Sequence, residues 1–297
     1  MSVVALPRAA ARRRRGPGLV QLLGRRRITL VGAAIVLGVL LTGLSAPLIA
    51  GDPTHMEVAR RLTPPGAAHW LGTDDLGRDV WSRVVHGARL SLLVGVAVVL
   101  VAFAVGLTCG LLAGYFRRLD NPIMRVMDGL MAFPAIILAI ALMASLGPSV
   151  LNVVVAIGIV YAPRVARIVR GSVLVVRETA YVEAARALGA PDLAIIGRHV
   201  LPNCLSPVIV QGSFVFAAAV LTEAALSFLG VGVPPYVPSW GNILSEGRLY
   251  LQQAPWLVIY PGAAIMVTIL GLNLFGDGVR DLLDPKIRGL GADRQRD

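Results

Sequence analysis

The fold is decided by two neighbouring stretches, Tyr181-Val182-Glu183-Ala184-Ala185-Arg186-Ala187-Leu188-Gly189 and Arg198-His199-Val200-Leu201-Pro202-Asn203. Glu183 and Arg186 lie three residues apart, which is the spacing of an opposite-charge pair on one face of a short helix. Gly189 suits the position after a helix end where φ is positive, and Pro191 can open the next helix. Pro202 discourages further helix. The pattern therefore predicts a helix, a break, a second helix and a stop.

The residues before this stretch have a helical pattern as well. Basic residues recur every three positions and apolar residues mark the opposite face, which is typical of an amphipathic helix. The basic positions are Arg164, Arg167 and Arg170, and the apolar ones are Val165, Ile168, Val169 and Val173. From the pattern alone two interpretations stay open for 164–206. It is either an ordinary amphipathic re-entry helix or a short helix of small residues that sits closely in the groove of another protein.

The composition places the chain in a membrane. Of 297 residues, 56% are hydrophobic and only 15% are charged, whereas a soluble domain has about 25% charged residues. The mean hydropathy is +0.73. A soluble core could not cover that much apolar side chain with so little polar surface. The composition therefore excludes a disordered, fibrous or disulfide-framework protein and predicts a protein of the lipid bilayer.

A net charge of +11 could indicate a nucleic-acid-binding protein, but the distribution of the charges along the chain argues against it. Eight of the 28 basic residues lie in residues 1–27, which contain no acidic residue. The rest of the chain has 20 basic and 17 acidic residues. A basic tail ahead of the first apolar segment matches the signal that keeps an N-terminus in the cytoplasm. We therefore expect the lipid bilayer, and no nucleic acid, as a partner.

Six apolar segments are candidate membrane spans, because a helix needs roughly 20 residues to cross the hydrocarbon core. They lie at about 28–50, 90–114, 129–147, 149–163, 207–230 and 256–276. Arginines concentrate in every second connection, which predicts a multi-pass membrane protein with six crossings and both termini in the cytoplasm. The predicted division is an Arg-rich tail 1–27, a first transmembrane helix 28–50, an extracytoplasmic loop 51–87, a five-helix core 88–280 containing the inner segment 164–206, and a cytoplasmic tail 281–297.

The inner segment carries a resemblance to a known family. Glu183, Ala184, Ala185, Gly189, Leu201 and Pro202 match the cytoplasmic signature of ABC importer permeases. Three more stretches, 69–80, 221–230 with 238–242, and 273–281 with 283–285, resemble the C-type permease of dipeptide, oligopeptide and nickel importers. The resemblance implies an all-α integral membrane fold with six transmembrane helices and a cytoplasmic coupling-helix loop, the type I ABC importer permease.

The same resemblance implies what the chain does and with what. The expected function is uptake of di- or oligopeptides delivered by a substrate-binding protein, with a nickel-chelate or other small-molecule importer as the alternative. The expected partners are a B-type permease, two ABC ATPase subunits and the extracytoplasmic substrate-binding protein. The six signature residues would form the coupling helix that docks into an ATPase. No cofactor is expected in this chain, since ATP and Mg²⁺ belong to the ATPases.

Acidic residues supply the other candidate sites. Glu223, well inside the fifth span, and Ser227 are candidates for the translocation path or gate. For Glu223, hydrogen bonding to helix ends near the outer gate is favoured over proton coupling or contact with a substrate amine. Asp128 is a further path candidate, although a charge at a helix start is favoured. For Asp74, Asp75 and Asp79 a turn and helix cap is favoured over a metal cluster. Asp74, Asp75, Arg78 and Trp240 are candidate contacts for the binding protein.

The sequence predicts neither an enzyme nor a metal protein. A P-loop needs glycines before its lysine, and the single lysine, Lys286, has none there; no G-x-S-x-G motif occurs either. Cys109, Cys204 and the four histidines are scattered, so no catalytic or metal site is expected. Two other classes stay open. An ion-driven secondary carrier would need several intramembrane charges, and a membrane-bound assembly protein would use the Arg tail as a lipid anchor.

Overall fold

The computed structural model describes residues 27–283, and regular structure within them is helical apart from one antiparallel bridge between Thr73 and Asp79. The predicted tails 1–27 and 281–297 lie almost wholly outside the described residues, since only Arg27 and residues 281–283 of them are described. The helices are α1 Arg27–Ile49, α2 Val80–Tyr115, α3 Arg117–Met131, α4 Ala135–Leu146, α5 Val150–Val176, α6 Ala180–Ala187, α7 Asp192–Ile195, α8 Leu201–Phe228, α9 Trp240–Gly247 and α10 Trp256–Leu283.

Five helical runs are long and apolar enough to cross a membrane: α1, α2, α5, the continuous run Asp192–Phe228, and α10. A sixth span exists if the bent pair α3 and α4 counts as one. Since α4 has 12 residues, it is only about 18 Å long and cannot cross alone. The described chain is therefore an all-α, multi-pass membrane protein, as the sequence predicts.

The third span differs from the expected single helix over 129–147. The chain bends by 93° between α3 and α4, and Pro134 lies at the bend as the N-cap of α4. Proline has no N–H to donate, and its ring would collide with the carbonyl four residues earlier. The helix therefore ends at Met131 and restarts at Ala135. On one side of the bend, α3 carries charged residues, and on the other, α4 is almost wholly apolar.

The expected helix stop at Pro202 is wrong. The chain stays helical from Asp192 to Phe228, with one π-helical turn at Ile196–Val200 just before the proline. A π-turn shifts the hydrogen-bond register by one residue, so the missing proline N–H falls where the register already changes. The helix therefore accommodates Pro202 within the first turn of α8.

Helix α2 begins earlier than the sequence indicates. Its N-cap is Asp79, whose side chain accepts a hydrogen bond from the Ser82 N–H. The last part of the segment 51–87, assigned to the extracytoplasmic loop, is therefore the start of a 36-residue helix. Such a helix is about 54 Å long, which is longer than the hydrocarbon core is thick. The connecting loop is 51–79, and it includes one 3-10 turn at Val58–Arg60.

The core is built on the packing of α2 against α5. Three glycines of α2, Gly106, Gly110 and Gly114, face α5 at intervals of four residues. A Cβ on Gly110 would lie 2.6 Å from the Ala166 carbonyl oxygen, and one on Gly106 would lie 2.6 Å from the Ala162 carbonyl oxygen. Glycines at this spacing let two backbones touch, which is how helices associate where no water drives them together.

Replacing Gly110 by alanine tests this contact. We expect Gly110→Ala to lower stability by about 1–3 kcal/mol, because the new Cβ must push the α5 backbone away. Gly171→Ala on α5 is the matched control, since no atom lies within 4 Å of a Cβ there. Alanine favours helix over glycine by about 1 kcal/mol, so the control should be neutral or stabilising. Thermal unfolding of the purified chain in detergent measures both, and equal melting temperatures for the two variants would contradict the packing argument.

Candidate functional site

The bundle has two distinct ends. We call the end that carries α3, α6 and α7 the basic end, and the end that carries loop 51–79 and the segment 229–255 the loop end. At the basic end, α6 stops in a Schellman-type turn. The Gly189 N–H donates to the Arg186 carbonyl at 3.0 Å, and the Ala190 N–H donates to the Ala185 carbonyl at 3.1 Å. Gly189 has a φ of +77°, a left-handed conformation that favours glycine. The predicted break at this position is confirmed.

The segment α6–α7 is fastened to the bundle by a few contacts on one side. Val182 and Ile195 are fully buried. The Tyr115 hydroxyl, at the end of α2, donates a hydrogen bond to Asp192 Oδ1 at 2.6 Å. The Arg186 guanidinium lies over the Tyr115 ring, 5.7 Å from its centroid, and hydrogen bonding to Tyr115 raises the pKa of Arg186. Arg186 thus contacts Tyr115 of α2. The sequence pattern had predicted Glu183 as its partner.

The other side of the segment α6–α7 is exposed and is not covered by any of the described residues. Leu188 is 88% exposed and Leu193 is 82% exposed. Of the six signature residues, Glu183, Ala184, Gly189 and Pro202 are exposed, and Ala185 and Leu201 are partly buried. Leucines that stand out beside charged and small residues are typical of a surface that another protein covers. The sequence analysis missed these two leucines; the signal was Leu188 directly before Gly189 and Leu193 two residues after Pro191.

Glu223 is fully buried in α8 and has serine partners. The Ser91 hydroxyl of α2 donates to Glu223 Oε2 at 3.2 Å, and the Ser227 hydroxyl donates to Oε1 at 2.9 Å. The Val233 N–H, just after α8, donates to the Ser227 hydroxyl at 3.3 Å. The carboxylate therefore joins two helices and the turn that follows one of them. This is the favoured hydrogen-bonding interpretation, and a role of Glu223 and Ser227 in gating stays a prediction.

A buried ion cluster occupies the loop end. Asp74 is fully buried and accepts hydrogen bonds from Arg78 Nε at 2.5 Å and from Arg83 Nη1 at 2.6 Å. Glu246 of α9 accepts from Arg78 Nη2 at 2.8 Å and also from Arg83. Two guanidinium groups and two carboxylates thus neutralise one another. Among the described residues, Asp74, Asp75 and Glu246 form the one group whose carboxylate oxygens lie close enough to bind a shared metal cation. In this structure the carboxylates of Asp74 and Glu246 already accept hydrogen bonds from Arg78 and Arg83.

Comparison with known proteins places this architecture in a family. Residues 106–289 match the model of the binding-protein-dependent transport system inner membrane component. The chain belongs to this family. A Brucella suis protein named as a peptide transport system permease is 51% identical over 265 residues, covering 89% of this chain and 90% of its own length. The dipeptide transport system permease of Alkalihalophilus pseudofirmus is 46% identical over 268 residues, covering 90% and 88%.

A solved structure agrees on the fold. The inward-facing MetNI methionine ABC transporter has a chain that superposes with a TM-score of 0.58 at 20% identity, covering 69% of this permease and 97% of that chain. At 20% identity this structural similarity supports the fold alone. The predicted type I ABC importer permease fold is confirmed, and so is the resemblance from which it came.

Burial places three of the expected docking residues of the permease inside the chain. Asp74, Arg78 and Trp240 are at most 6% exposed, and a role of these three as contacts for the binding protein stays a prediction. Trp240 donates from Nε1 to the Val84 carbonyl at 2.9 Å. Asp75 is part-exposed, and its contact role stays a prediction; burial, and next Asp74, raise the pKa of its carboxyl. Asp79 caps a helix as expected.

Asp128 is also placed differently from the favoured interpretation. It lies in the last turn of α3, where a negative charge opposes the helix dipole, and not at a helix start. Its side chain is exposed and accepts a hydrogen bond from Arg167 Nη2 of α5 at 2.7 Å. A second pair, Arg170 with Asp120, also joins these two helices. A role of Asp128 in the path stays a prediction.

Removing one arginine of the ion cluster tests how the loop end is held. We expect Arg83→Met to lower stability by about 3–5 kcal/mol, because it leaves a buried carboxylate without one of its partners. Arg60→Met is the control: Arg60 pairs with Glu57 at 3.2 Å and both side chains are about half exposed, so its loss should cost no more than about 1 kcal/mol. Thermal unfolding in detergent compares them. A melting temperature for Arg83→Met as high as that of the control would mean that the cluster does not hold the loop.

Removing one hydroxyl at the other end tests the fastening of α7. We expect Tyr115→Phe to speed amide hydrogen exchange in 190–196, because the ring under Arg186 stays while the hydroxyl's hydrogen bonds to Asp192 and Arg186 are lost. Tyr236→Phe serves as control, since Tyr236 is 75% exposed at the loop end. Exchange is measured by mass spectrometry on the purified permease. Unchanged exchange in Tyr115→Phe would show that apolar burial alone holds this segment.

Proposed function

We propose that this chain is the membrane-spanning permease subunit of an ATP-driven ABC importer that takes up di- and oligopeptides. The names of the two relatives support a peptide substrate, since each covers about nine-tenths of this chain. The observation that carries the proposal is the short exposed helix α6, ended by Gly189 and fastened to the basic end of a bundle of membrane spans. A soluble ATPase subunit can bind such a helix and transmit its movement to the bundle.

The importer would be assembled from several subunits. A B-type permease would complete the membrane part, two ABC ATPase subunits would bind at the basic end, and a substrate-binding protein would deliver peptide at the loop end. ATP and Mg²⁺ would be held by the ATPases, so this chain would carry no cofactor and catalyse no reaction. Family membership supports the need for other subunits, and the lack of a P-loop in the sequence supports a separate source of energy.

The permease would be oriented with its basic end and both termini in the cytoplasm, in the bacterial plasma (inner) membrane. Exposed arginines support this orientation, because positive residues are retained on the cytoplasmic side. They stand on α3, on α5 and beyond α7: Arg117, Arg118, Arg125, Arg164 and Arg198. The loop end, with segments 51–79 and 229–255, would then face the outside.

Coupling would pass through the bare surface of α6 and α7. Leu188 and Leu193 would fill a groove of the ATPase, with the signature residues around them. When ATP closes the ATPase pair, the movement would reach α2 through Tyr115 and Asp192, and the bundle core through Val182. The transition between inward and outward access would then be a rigid-body motion of packed helices, one of the known forms of such transitions.

Replacing one exposed leucine tests the coupling. We expect Leu188→Ser to lower peptide transport and binding-protein-stimulated ATPase activity at least tenfold, as truncation of a buried interface anchor does. The chain should still insert and fold, because nothing in the bundle packs on an 88%-exposed side chain. Leu249→Ser is the matched control, since Leu249 is 75% exposed at the loop end. The measurement is uptake of labelled dipeptide by proteoliposomes holding the whole transporter.

Two results would contradict the proposal. Full transport by Leu188→Ser would show that α6 does not couple the bundle to an ATPase. Uptake by wild-type vesicles without ATP would show that the permease works as an ion-driven carrier.

A further inference from the structure

A cavity of about 390 Å³ lies at the loop end. Its walls come from the end of α1, from loop 51–79 and from the first turn of α2. The residues that matter for its chemistry are Asp52, Glu57, His69, Trp70, Asp79 and Trp81. Five of these six belong to loop 51–79, and three of those, His69, Trp70 and Asp79, lie in the stretch 69–80. The proposed coupling mechanism does not use any of these residues. The cavity is therefore a feature of the chain that still needs an explanation.

The cavity is acidic. The Asp52 carboxylate accepts hydrogen bonds from the Thr54 N–H at 2.8 Å and from the Thr54 hydroxyl at 2.6 Å, and these bonds lower the pKa of Asp52. Glu57 and Asp79 add two more carboxylates. Arg60, paired with Glu57 at 3.2 Å, returns one positive charge at the rim. At neutral pH the lining thus favours a cation over a neutral or anionic group.

The cavity is also aromatic. The rings of Trp70 and Trp81 lie with their centroids 5.5 Å apart and their planes tilted by 55°, and Trp70 is 67% exposed. Indole faces attract ammonium and guanidinium groups, and tryptophan does so best of the aromatic residues. Carboxylates beside two indoles therefore form a site for an organic cation with an apolar stem, which is the shape of a lysine or arginine side chain.

The floor of the cavity is held in place before anything binds. Trp81 Nε1 donates to the Ile49 carbonyl at 3.4 Å, and the Ser82 hydroxyl donates to the Gly51 carbonyl at 2.5 Å. His69 Nδ1 and Asp79 Oδ1 lie 3.0 Å apart. These bonds tie the loop to α1 and to the start of α2. A site whose walls are already ordered loses less entropy when its ligand enters.

We infer that this cavity receives a lysine or arginine side chain presented by the substrate-binding protein. The inference rests on the proposed function, since it needs the loop end to be the face on which that protein docks. The rim favours a protein over a lipid ammonium group. Asp52 and Arg60 are exposed there and Glu57 is partly exposed, and such a charged rim belongs in water and not against acyl chains. The cation would lie against the exposed Trp70 ring, with its charge near Asp52.

Two substitutions at the cavity test the inference in the whole transporter in lipid nanodiscs. We expect Trp70→Ala and Asp52→Asn each to raise the Kd for the substrate-binding protein about tenfold, the size of effect expected for a cation–π contact or a desolvated charge pair. In Asp52→Asn the Kd should also depend less on salt, because one charge of the contact is gone. Tyr236→Ala is the aromatic control, 75% exposed on the other outer segment, and its Kd should equal that of wild type.

The outcomes separate the possibilities. If wild type does not bind the substrate-binding protein, the proposed function fails and the inference fails with it. If wild type binds and both cavity variants bind within twofold of it, the proposed function stands and the inference is overturned. The lipid arm uses nanodiscs with and without phosphatidylethanolamine. A gain in melting temperature from that lipid, lost in Trp70→Ala while the Kd for the binding protein is unchanged, would assign the cavity to a lipid ammonium group and overturn the inference.

Discussion

The structure depends on the direct contact between the backbones of α2 and α5. Inside a bilayer no hydrophobic effect drives helices together, so association relies on close packing. The glycines at 106, 110 and 114 supply it, because an added Cβ at any of them would meet α5 at about 2.6 Å. Each of the two long helices is thereby held against the other over several turns. The remaining helices are arranged around this pair: α8 contacts both, α1 packs on α2, and α10 packs on α1 and α8.

Because α2 is one continuous helix, it connects the two functional ends. At the loop end Asp79 caps it, and Arg83 joins it to Asp74 and Glu246. At the basic end Tyr115 holds Asp192, and the Gly114 carbonyl accepts a hydrogen bond from Arg177 at 2.7 Å. The buried charges at one end resist separation strongly, since each would be left unpaired. The basic end is held by fewer polar contacts, and the face of α6 and α7 that points away from the bundle is exposed. A force on α6 would therefore meet a long rigid body whose far end is fixed to loop 51–79.

Part of this arrangement could be predicted from the sequence because its cause is local. The spans follow from runs of apolar residues, the break at Gly189 from its conformational freedom, and the cap at Asp79 from its side chain. The pairs of Arg83 with Glu246 and Tyr115 with Asp192 could not be predicted, since the partners lie far apart in the chain. The prolines show most clearly what the sequence alone does not predict. Pro134 ends a helix with a 93° bend, while a π-turn carries the helix through Pro202, and tertiary packing decides between the two.

Two breaks between helices, at Pro134 and at Gly189, indicate where the molecule can change shape. The pair α2 and α5 cannot bend without opening its backbone contact, and packed cores switch between discrete arrangements and do not deform smoothly. A change in access must therefore be absorbed elsewhere. The bend between α3 and α4 has no helical hydrogen bonds across Pro134, and Gly189 separates α6 from α7. The first break follows α3, which two ion pairs join to α5, and the second follows α6 at the basic end. Motion that starts at α6 would thus turn α2 and α5 as one unit, while α3 and α4 adjust their angle.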